Sequence, residues 1–433
     1  MPTQQPVRNP RRRQTRSPQR RTTQSAGRRV QQPQRSAAVQ RRKPAPAQQT
    51  KRPVRRRKQN VWSYGLLSDY KRKWDVPLFM VTIILLGCGL IALMSASYPT
   101  GYYSTSEKIG PLYYFIRQAE FAVLGIALML FLSALDYHRY HVLGKAIYLF
   151  ALITLILVLT PLGTSLNGAK RWLFGFQPSE FAKLAVILTF SSFVSLNPKK
   201  IQRIQGLVPY GVALAVLILF LAMEPHMSAS LILLVIGVSI LFVGGMHLWY
   251  FLPVGVIGMI VAVAAYMTMP HIQNRLQVFL DPFSASQGAG WQASQSLIAI
   301  GSGGLFGLGL GDSRQKFMYL PEPMNDFIFS VVCEELGFIG ALLILIMFAY
   351  FIYRGYSIAF RAEDRFGCLM AVGITTHFAF QILMNLMVVS GLFPVTGVSL
   401  PLFSYGGTAL VIQLIEIGIL LNISRHIPPS RKE

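Results

Sequence analysis

From about residue 77 onward, apolar residues occur in long, nearly unbroken runs set apart by short polar stretches. Ten such segments can be marked, at about 77–97, 113–134, 142–160, 178–196, 207–223, 228–244, 250–268, 327–352, 367–389 and 406–424. Most come close to the 20 or so apolar residues that cross a hydrocarbon core as a helix. Continuous apolar character with Gly scattered through it suits helices packed in lipid rather than a barrel. The expected fold is therefore all-α, a polytopic integral membrane protein with about ten transmembrane helices. The two short segments flanking Glu224-Pro225-His226 can also be read as one broken hairpin.

The polar remainder divides unevenly. Residues 1–60 hold no core-forming run and are rich in Arg, Gln, Pro, Ser and Thr, so they read as a disordered tail. They do not read as a signal peptide, being too long and lacking a small-residue cleavage site before the first span. Residues 61–76 form a juxtamembrane segment, in which Trp62, Tyr64 and Trp74 with Lys71, Arg72 and Lys73 make an interfacial belt. Residues 77–424 are the transmembrane domain, and 425–433 a short C-terminal end. Within the domain, 269–326 is the one long loop, and loops of that length are either functional or disordered. Its apolar subsegments, 276–283 and 296–310, predict short helices lying at or dipping into the membrane.

Charge sharpens this picture. The 433 residues carry 41 Lys+Arg against 17 Asp+Glu, a formal net charge of +24, yet 52% of residues are hydrophobic. Segregation reconciles the two, because residues 1–60 alone hold 19 Lys/Arg and no acid. A uniformly basic, soluble nucleic-acid binder is excluded, and nothing beyond charge supports nucleic acid as the tail's partner. Anionic lipids of the inner leaflet or an acidic cytoplasmic protein fit it better. The positive-inside rule makes both termini cytoplasmic, with 33 basic residues on that side. The long loop between helices 7 and 8 is then extracellular. Only Lys108, Arg117, Lys170, Arg171, Arg275, Arg314 and Lys316 fall outside, and Lys183 lies within a span. Cys88, Cys333 and Cys368 have no C-x-x-C spacing and read as small buried hydrophobes.

Four stretches could carry chemistry. In the first, Lys170 and Arg171 are adjacent cations on the cation-poor face and suit an anionic ligand such as a phosphate. Glu180 and Lys183 follow at i,i+3, able to pair on one helical face; the alternative is a structural ion pair with Trp172 as an interface anchor. In the second, Asp326 follows Pro321 and Pro323 at the start of a span. There it is either a functional carboxylate or an N-cap. The third, the glycine-rich run from Gly301 to Gly311, has no G-K-[ST] after it. Its amides could cradle an anion, but close helix approach is the commoner reason for such glycines. The fourth, PVTGVSLPLFSYGG over 394–407, implies irregular backbone at membrane depth, where Ser404 and Tyr405 could face a cavity. His226 reads as an interface residue or a proton relay. No His, Cys and carboxylate cluster supports a metal site.

In this order the motifs GAKRWL, QPSEFAKLAVIL, NRLQVFLDPF, GWQASQSLIAIGSGGLFGLGLG, SRQKFMYLPEPMNDFIF and FPVTGVSLPLFSYGG resemble the SEDS family (shape, elongation, division and sporulation). These are bacterial peptidoglycan polymerases that include FtsW, RodA and SpoVE. The similarity runs from about Pro77 to Asn422, and the SRQK-to-LPEP stretch is more like the division and sporulation branch.

The resemblance implies ten transmembrane helices in the bacterial cytoplasmic membrane. It implies polymerisation of lipid II on the outer face, alongside a class B penicillin-binding protein transpeptidase and other divisome or wall-synthesis membrane proteins. It places the catalytic aspartate on Asp326, as general base for the 4-hydroxyl of the acceptor sugar. Lys170, Arg171, Arg275 and Lys183 are then the cations for the pyrophosphate leaving group, with Glu180 orienting Lys183. Trp172, Gln177, Ser179, Gln292, Ser296, Ser404 and Tyr405 are the remaining substrate-binding candidates. No cofactor is expected, and a divalent cation is left open. Two departures stand out: Met324-Asn325 where members often have His-Thr, and Pro225-His226-Met227-Ser228-Ala229 where many have Pro-Asp-x-Gly-Thr. Competing functions are a flippase or transporter of polyprenyl-linked glycan and a membrane scaffold acting through the tail.

Overall fold

The computed structural model describes residues 74–105, 109–166, 169–224, 226–283 and 288–427. The tail over 1–60, the aromatic belt up to residue 73, Lys108 and the last six residues lie outside the described set.

Twelve α-helices and one β-hairpin are present among the described residues. Before the long loop come α1 (Val76–Tyr102), α2 (Tyr113–Ala134) and α3 (Tyr140–Leu159), then strands β1 (Gly163–Leu166) and β2 (Ala169–Leu173). They are followed by α4 (Pro178–Leu196), α5 (Ile204–Met223), α6 (Met227–Val243) and α7 (Phe251–Thr268). The loop contributes α8 (Pro270–Leu280) and α9 (Gly288–Ser302), and α10 (Ile328–Arg361), α11 (Arg365–Val389) and α12 (Gly407–Arg425) complete the bundle. Each of the ten apolar runs has become a helix, nine of them within about five residues of their sequence limits and α10 running nine residues past its expected end at 352. Among the described residues eight are long and apolar enough to cross a membrane; α6 and α7 are apolar but shorter. Glu224 and His226 separate α5 from α6, so that pair is two helices.

Packing is layered around α4, α11 and α12, which are mostly buried, while α2, α3, α5 and α10 turn apolar faces outward. Val123, Phe131, Leu219 and Ile346, exposed on those helices, are what a lipid-facing surface requires. Asp75 caps α1 by accepting from the Leu78 amide at 2.9 Å and pairs with Arg354 of α10. The three cysteines are free.

Three local features add to or correct the sequence expectation. First, Ala169–Leu173 is a strand of a short antiparallel hairpin, where the sequence reading assigns no secondary structure. Second, the loop helices begin six to eight residues before their expected starts. Third, the glycine-rich run provides close helix approach, the commoner of its two expected roles, rather than an anion cradle. Gly304, Gly307, Gly309 and Gly311 all have positive φ, which ends α9 and lets the chain lie against α10. Leu308 and Gly309 donate their amides to the Glu334 and Glu335 carbonyls, both at 3.0 Å, and Phe338 donates to the Gly304 carbonyl at 2.9 Å. These bonds supply partners where Gly337, at φ 65°, interrupts the helical ladder of α10. A Cβ on Gly337 would stand 2.2 Å from the Gly307 nitrogen, so the splice requires glycine.

Below the splice a buried network locks the loop. The Glu334 carboxylate accepts from the Ser313 hydroxyl (2.5 Å) and the amides of Arg314 (3.0 Å) and Gln315 (3.3 Å). Lys316, buried, pairs with Glu335 at 2.8 Å and donates to Ser95 of α1 at 2.8 Å. Lys316 is thus a structural cation.

Candidate active site

Asp326 stands at the end of the long loop, one residue before the N-cap position of α10. That position is Phe327, with no side-chain cap, so the Asp326 carboxylate is not a cap. The segment carrying it is pinned at three successive carbonyls. Met324 accepts from the Tyr405 amide at 2.9 Å, Asn325 from the Ser404 hydroxyl at 2.5 Å, and Asp326 from the Asn385 amide nitrogen at 2.7 Å. The carboxylate itself makes no hydrogen bond among the described residues and faces a cavity of about 760 Å³. Burial, with Glu322 adding and Arg171 opposing, pushes its pKa up to about 6. Glu322 adopts φ 53° and accepts from the Asn325 side chain at 2.5 Å.

The opposite wall comes from the hairpin and α4. In the ladder Thr164 faces Trp172 and Ser165 faces Lys170, so Arg171 is the extra residue of a β-bulge. A bulge re-aims a side chain. Arg171 accordingly reaches the cavity, whereas Lys170 stays exposed and away from it. The two adjacent cations do not act together. Arg171 donates through Nε to the Glu224 carbonyl at 3.4 Å, and burial lowers its pKa, with Arg275 adding to the effect. Arg275 on α8 lines the same cavity.

Pro178 opens α4 at a position suited to proline, and Glu180 in the first turn complements the helix dipole. Glu180 and Lys183 pair at 2.8 Å, both buried, and both line the cavity. Lys183 donates to Gln381 at 3.2 Å. Gln381 also lies 2.9 Å from His377 Nε2, whose Nδ1 is 2.8 Å from Glu416. A chain of buried polar groups therefore runs from the cavity wall into the bundle.

The irregular backbone over 390–406 closes the cavity, and side chains satisfy its polar groups. The Ser399 carbonyl accepts from Gln381 (3.0 Å), that of Val398 from Asn385 (2.7 Å) and that of Ser404 from Gln118 (3.1 Å). The Leu402 amide donates to Gln413 at 3.0 Å, and Ser228 donates to the Thr396 carbonyl. Each bond replaces one that helix or water would supply, which is the condition for such backbone at membrane depth. A Cβ on Gly89 of α1 would lie 2.2 Å from the Leu402 carbonyl oxygen, so this loop also needs a glycine beside it.

Of the sequence candidates, Arg171, Trp172, Gln177, Glu180, Lys183, Arg275, Gln292, Asp326 and Tyr405 line this one cavity. Four do not. Lys170 is exposed and does not line the cavity, and Ser179 is buried off the wall. Ser296 is occupied with Ser330 and the Val389 carbonyl, both at 2.7 Å, and Ser404 with its loop contacts. Tyr114, Glu322, Thr396 and Gln381 line the cavity without having been singled out. The signal for Gln381 lay in its spacing, since His377, Gln381 and Asn385 form a polar i,i+4 stripe on an apolar helix. His226 also lines the cavity, kept neutral because burial, Arg171 and Lys183 push its pKa down to about 3. Glu224 is driven up to about 8 by burial, with Arg171 opposing. Among the described residues no group of three or more His, Cys, Asp or Glu side chains gathers as a metal site would.

The family model that matches this chain is FtsW/RodA/SpoVE, a cell cycle protein, over residues 76–428. The chain belongs to the FtsW/RodA/SpoVE family. Among its FtsW/RodA/SpoVE relatives, stage V sporulation protein E of Bacillus subtilis (strain 168) is 39% identical over 367 residues. The alignment covers 83% of this chain and 99% of that protein. A protein of Trichlorobacter lovleyi described as a probable peptidoglycan glycosyltransferase FtsW is 37% identical, covering 81% of this chain and 93% of the relative. Among solved structures, one concerning "structural coordination of polymerization and crosslinking by a peptidoglycan synthase complex" holds a chain with TM-score 0.67 and 26% identity. It covers 81% of this chain and 98% of its own. Every wall of the cavity falls inside the span matched by the FtsW/RodA/SpoVE model.

Proposed function

We propose that this chain is a peptidoglycan glycosyltransferase that polymerises lipid II into glycan strands for cell division or sporulation. The observation that carries the chemistry is Asp326, a carboxylate on an immobilised backbone, free of capping, facing the half-buried Arg171 and Arg275 and the buried Lys183 across one cavity. Asp326 takes the proton of the acceptor's 4-hydroxyl as that oxygen attacks the anomeric carbon of the donor sugar. The bond from that carbon to the pyrophosphate oxygen breaks, and its electron pair leaves with the polyprenyl pyrophosphate. Arg171, Arg275 and Lys183 stabilise the departing charge, which removes the need for a general acid. Glu180 and Gln381 hold Lys183 in place for this role. A pKa near 6 leaves Asp326 deprotonated near neutrality yet basic enough to accept a proton.

In this reading α6 and α7 also cross the membrane, making ten spans in the bacterial cytoplasmic membrane. Both termini are cytoplasmic and the cavity opens outward. The partner is a class B penicillin-binding protein transpeptidase; the similarity to a chain of a peptidoglycan synthase complex supports this. The test is conversion of purified lipid II to glycan strands by the purified chain, with and without a co-purified transpeptidase. Polymer in either condition is expected. Movement of labelled lipid II across vesicles with no polymer in either condition would refute the reading in favour of a flippase.

A further inference from the structure

At the end of α4 away from Glu180 and Lys183, helices α3, α4 and α5 part around a second cavity of about 660 Å³. Glu180 and Phe193 are 13 positions apart on α4, about 20 Å at 1.5 Å per residue, so the cavities open toward opposite membrane faces.

Helical position gives the second cavity two chemically different ends. Its mouth is formed by Lys145 in the second turn of α3, Asn197 just past α4, and Lys200 and Arg203 in the connection to α5. One to two turns deeper, the walls are Tyr148 of α3, Phe190 of α4, and Tyr210 and Ala213 of α5. The Tyr148 hydroxyl bridges the groove by donating to the Ala213 carbonyl at 2.8 Å, and Lys145 Nζ lies 5.3 Å from the centre of the Phe193 ring. The lining contains no Asp or Glu, and none of the three cations makes an ion pair among the described residues.

The cations of the α4–α5 connection are presented by a wound turn. The Lys200 amide donates to the Asn197 carbonyl (3.1 Å), that of Arg203 to Lys200 (3.2 Å), and that of Gly206 to Arg203 (2.9 Å). Ile201 is fully buried and anchors the turn in the core. A Cβ on Gly206 would meet the Lys200 carbonyl oxygen at 1.9 Å, so this close approach depends on glycine. Exposed Leu149, Val208 and Val212 flank the groove, as a lipid-facing opening would have them.

We propose that this groove binds one anionic phospholipid of the adjoining leaflet. Lys145, Lys200 and Arg203 hold the phosphodiester, and an acyl chain lies along Tyr148, Tyr210 and Ala213. A basic pocket between membrane helices on the positively charged side is the recognised setting for such headgroups. A free phosphate or soluble nucleotide would use the mouth and leave the apolar walls empty.

The test uses the full-length protein in detergent, titrated with phosphatidylglycerol or phosphatidylcholine and read by native mass spectrometry and thermal shift. The basic tail is present in every sample and cancels between variants. Wild type should retain one phosphatidylglycerol in preference to phosphatidylcholine. Each Lys→Gln or Arg→Gln change at 145, 200 and 203 should weaken that retention about fivefold, and all three together on the order of 100-fold. Ala213→Trp, which fills the apolar end and leaves the cations in place, should also abolish it. Equal retention of both lipids, or unchanged retention by the triple variant and by Ala213→Trp, would overturn the proposal. So would displacement of the lipid by millimolar glycerol phosphate, which would mark a soluble-anion site, or by far tighter polyprenyl phosphate, which would mark a carrier-lipid site.

Discussion

The buried pair Glu180–Lys183 permits a test that separates stability from chemistry. At 2.8 Å the attraction is about 6 kcal/mol for an effective dielectric near 20. It offsets a desolvation of several kcal/mol for each ion, so the intact pair contributes little net stability. Glu180→Gln strands the Lys183 ammonium with only Gln381, and Lys183→Met strands a carboxylate whose second oxygen already lacks a partner. Each single change should destabilise by about 3–5 kcal/mol. The double variant Glu180→Gln/Lys183→Met removes both charges at similar volume and should return to within about 1 kcal/mol of wild type. Activity should not return, because a cation is gone from the wall of the cavity, at a cost on the order of 100-fold. The assay pairs unfolding of the purified protein in one detergent with initial rates of lipid II polymerisation. A double variant as unstable as either single one would refute the pairing. A stable double variant with the wild-type rate would refute the role of Lys183 in the reaction.

Three further outcomes follow from the same geometry. With Asp326 as general base, the rate should fall as pH drops through about 6, since protonation removes the acceptor; an acid limb near pH 4 would contradict the burial argument. Glu322→Gln removes a negative neighbour that raises the Asp326 pKa, so the acid limb should move to lower pH, whereas Arg171→Gln should move it higher and slow the reaction. Pre-steady-state pH–rate profiles of the two variants check both directions. Lys316→Met strands Glu335 and should cost about 3–5 kcal/mol, with faster hydrogen exchange over 303–327 as the loop loosens from α10.

Unbroken apolar runs and the bilayer's length requirement account for most of what could be read in advance. The run at 178–196 became α4 at those limits, and the break at Glu224-Pro225-His226 separated two helices. What escaped depended on long-range pairing. Lys170 and Arg171 are equivalent neighbours in sequence, and only the bulge opposite Thr164 and Ser165 decides which one faces the cavity. Close contact is the commoner reading of the glycine-rich run, but its partners at Glu334, Glu335 and Gly337 lie outside any local pattern. Ser296 and Ser404 were drawn in by their motifs, yet both hydroxyls serve buried structural bonds, which no local pattern reveals. Gln381 was accessible through its i,i+4 stripe but lay in a helix otherwise read as apolar. Asp326 could be located, and the structure adds that its carboxylate is not consumed as a helix cap.

The most direct measurement is polymerisation of purified lipid II by Asp326→Asn, alongside a binding titration of the same variant with lipid II. Asn keeps the shape and cannot accept the hydroxyl proton. Lipid II binding close to wild type with no detectable glycan strands is the expected result. Glycan strands in wild-type yield from that variant would contradict the assignment of Asp326 and, with it, the account of this cavity as the catalytic centre.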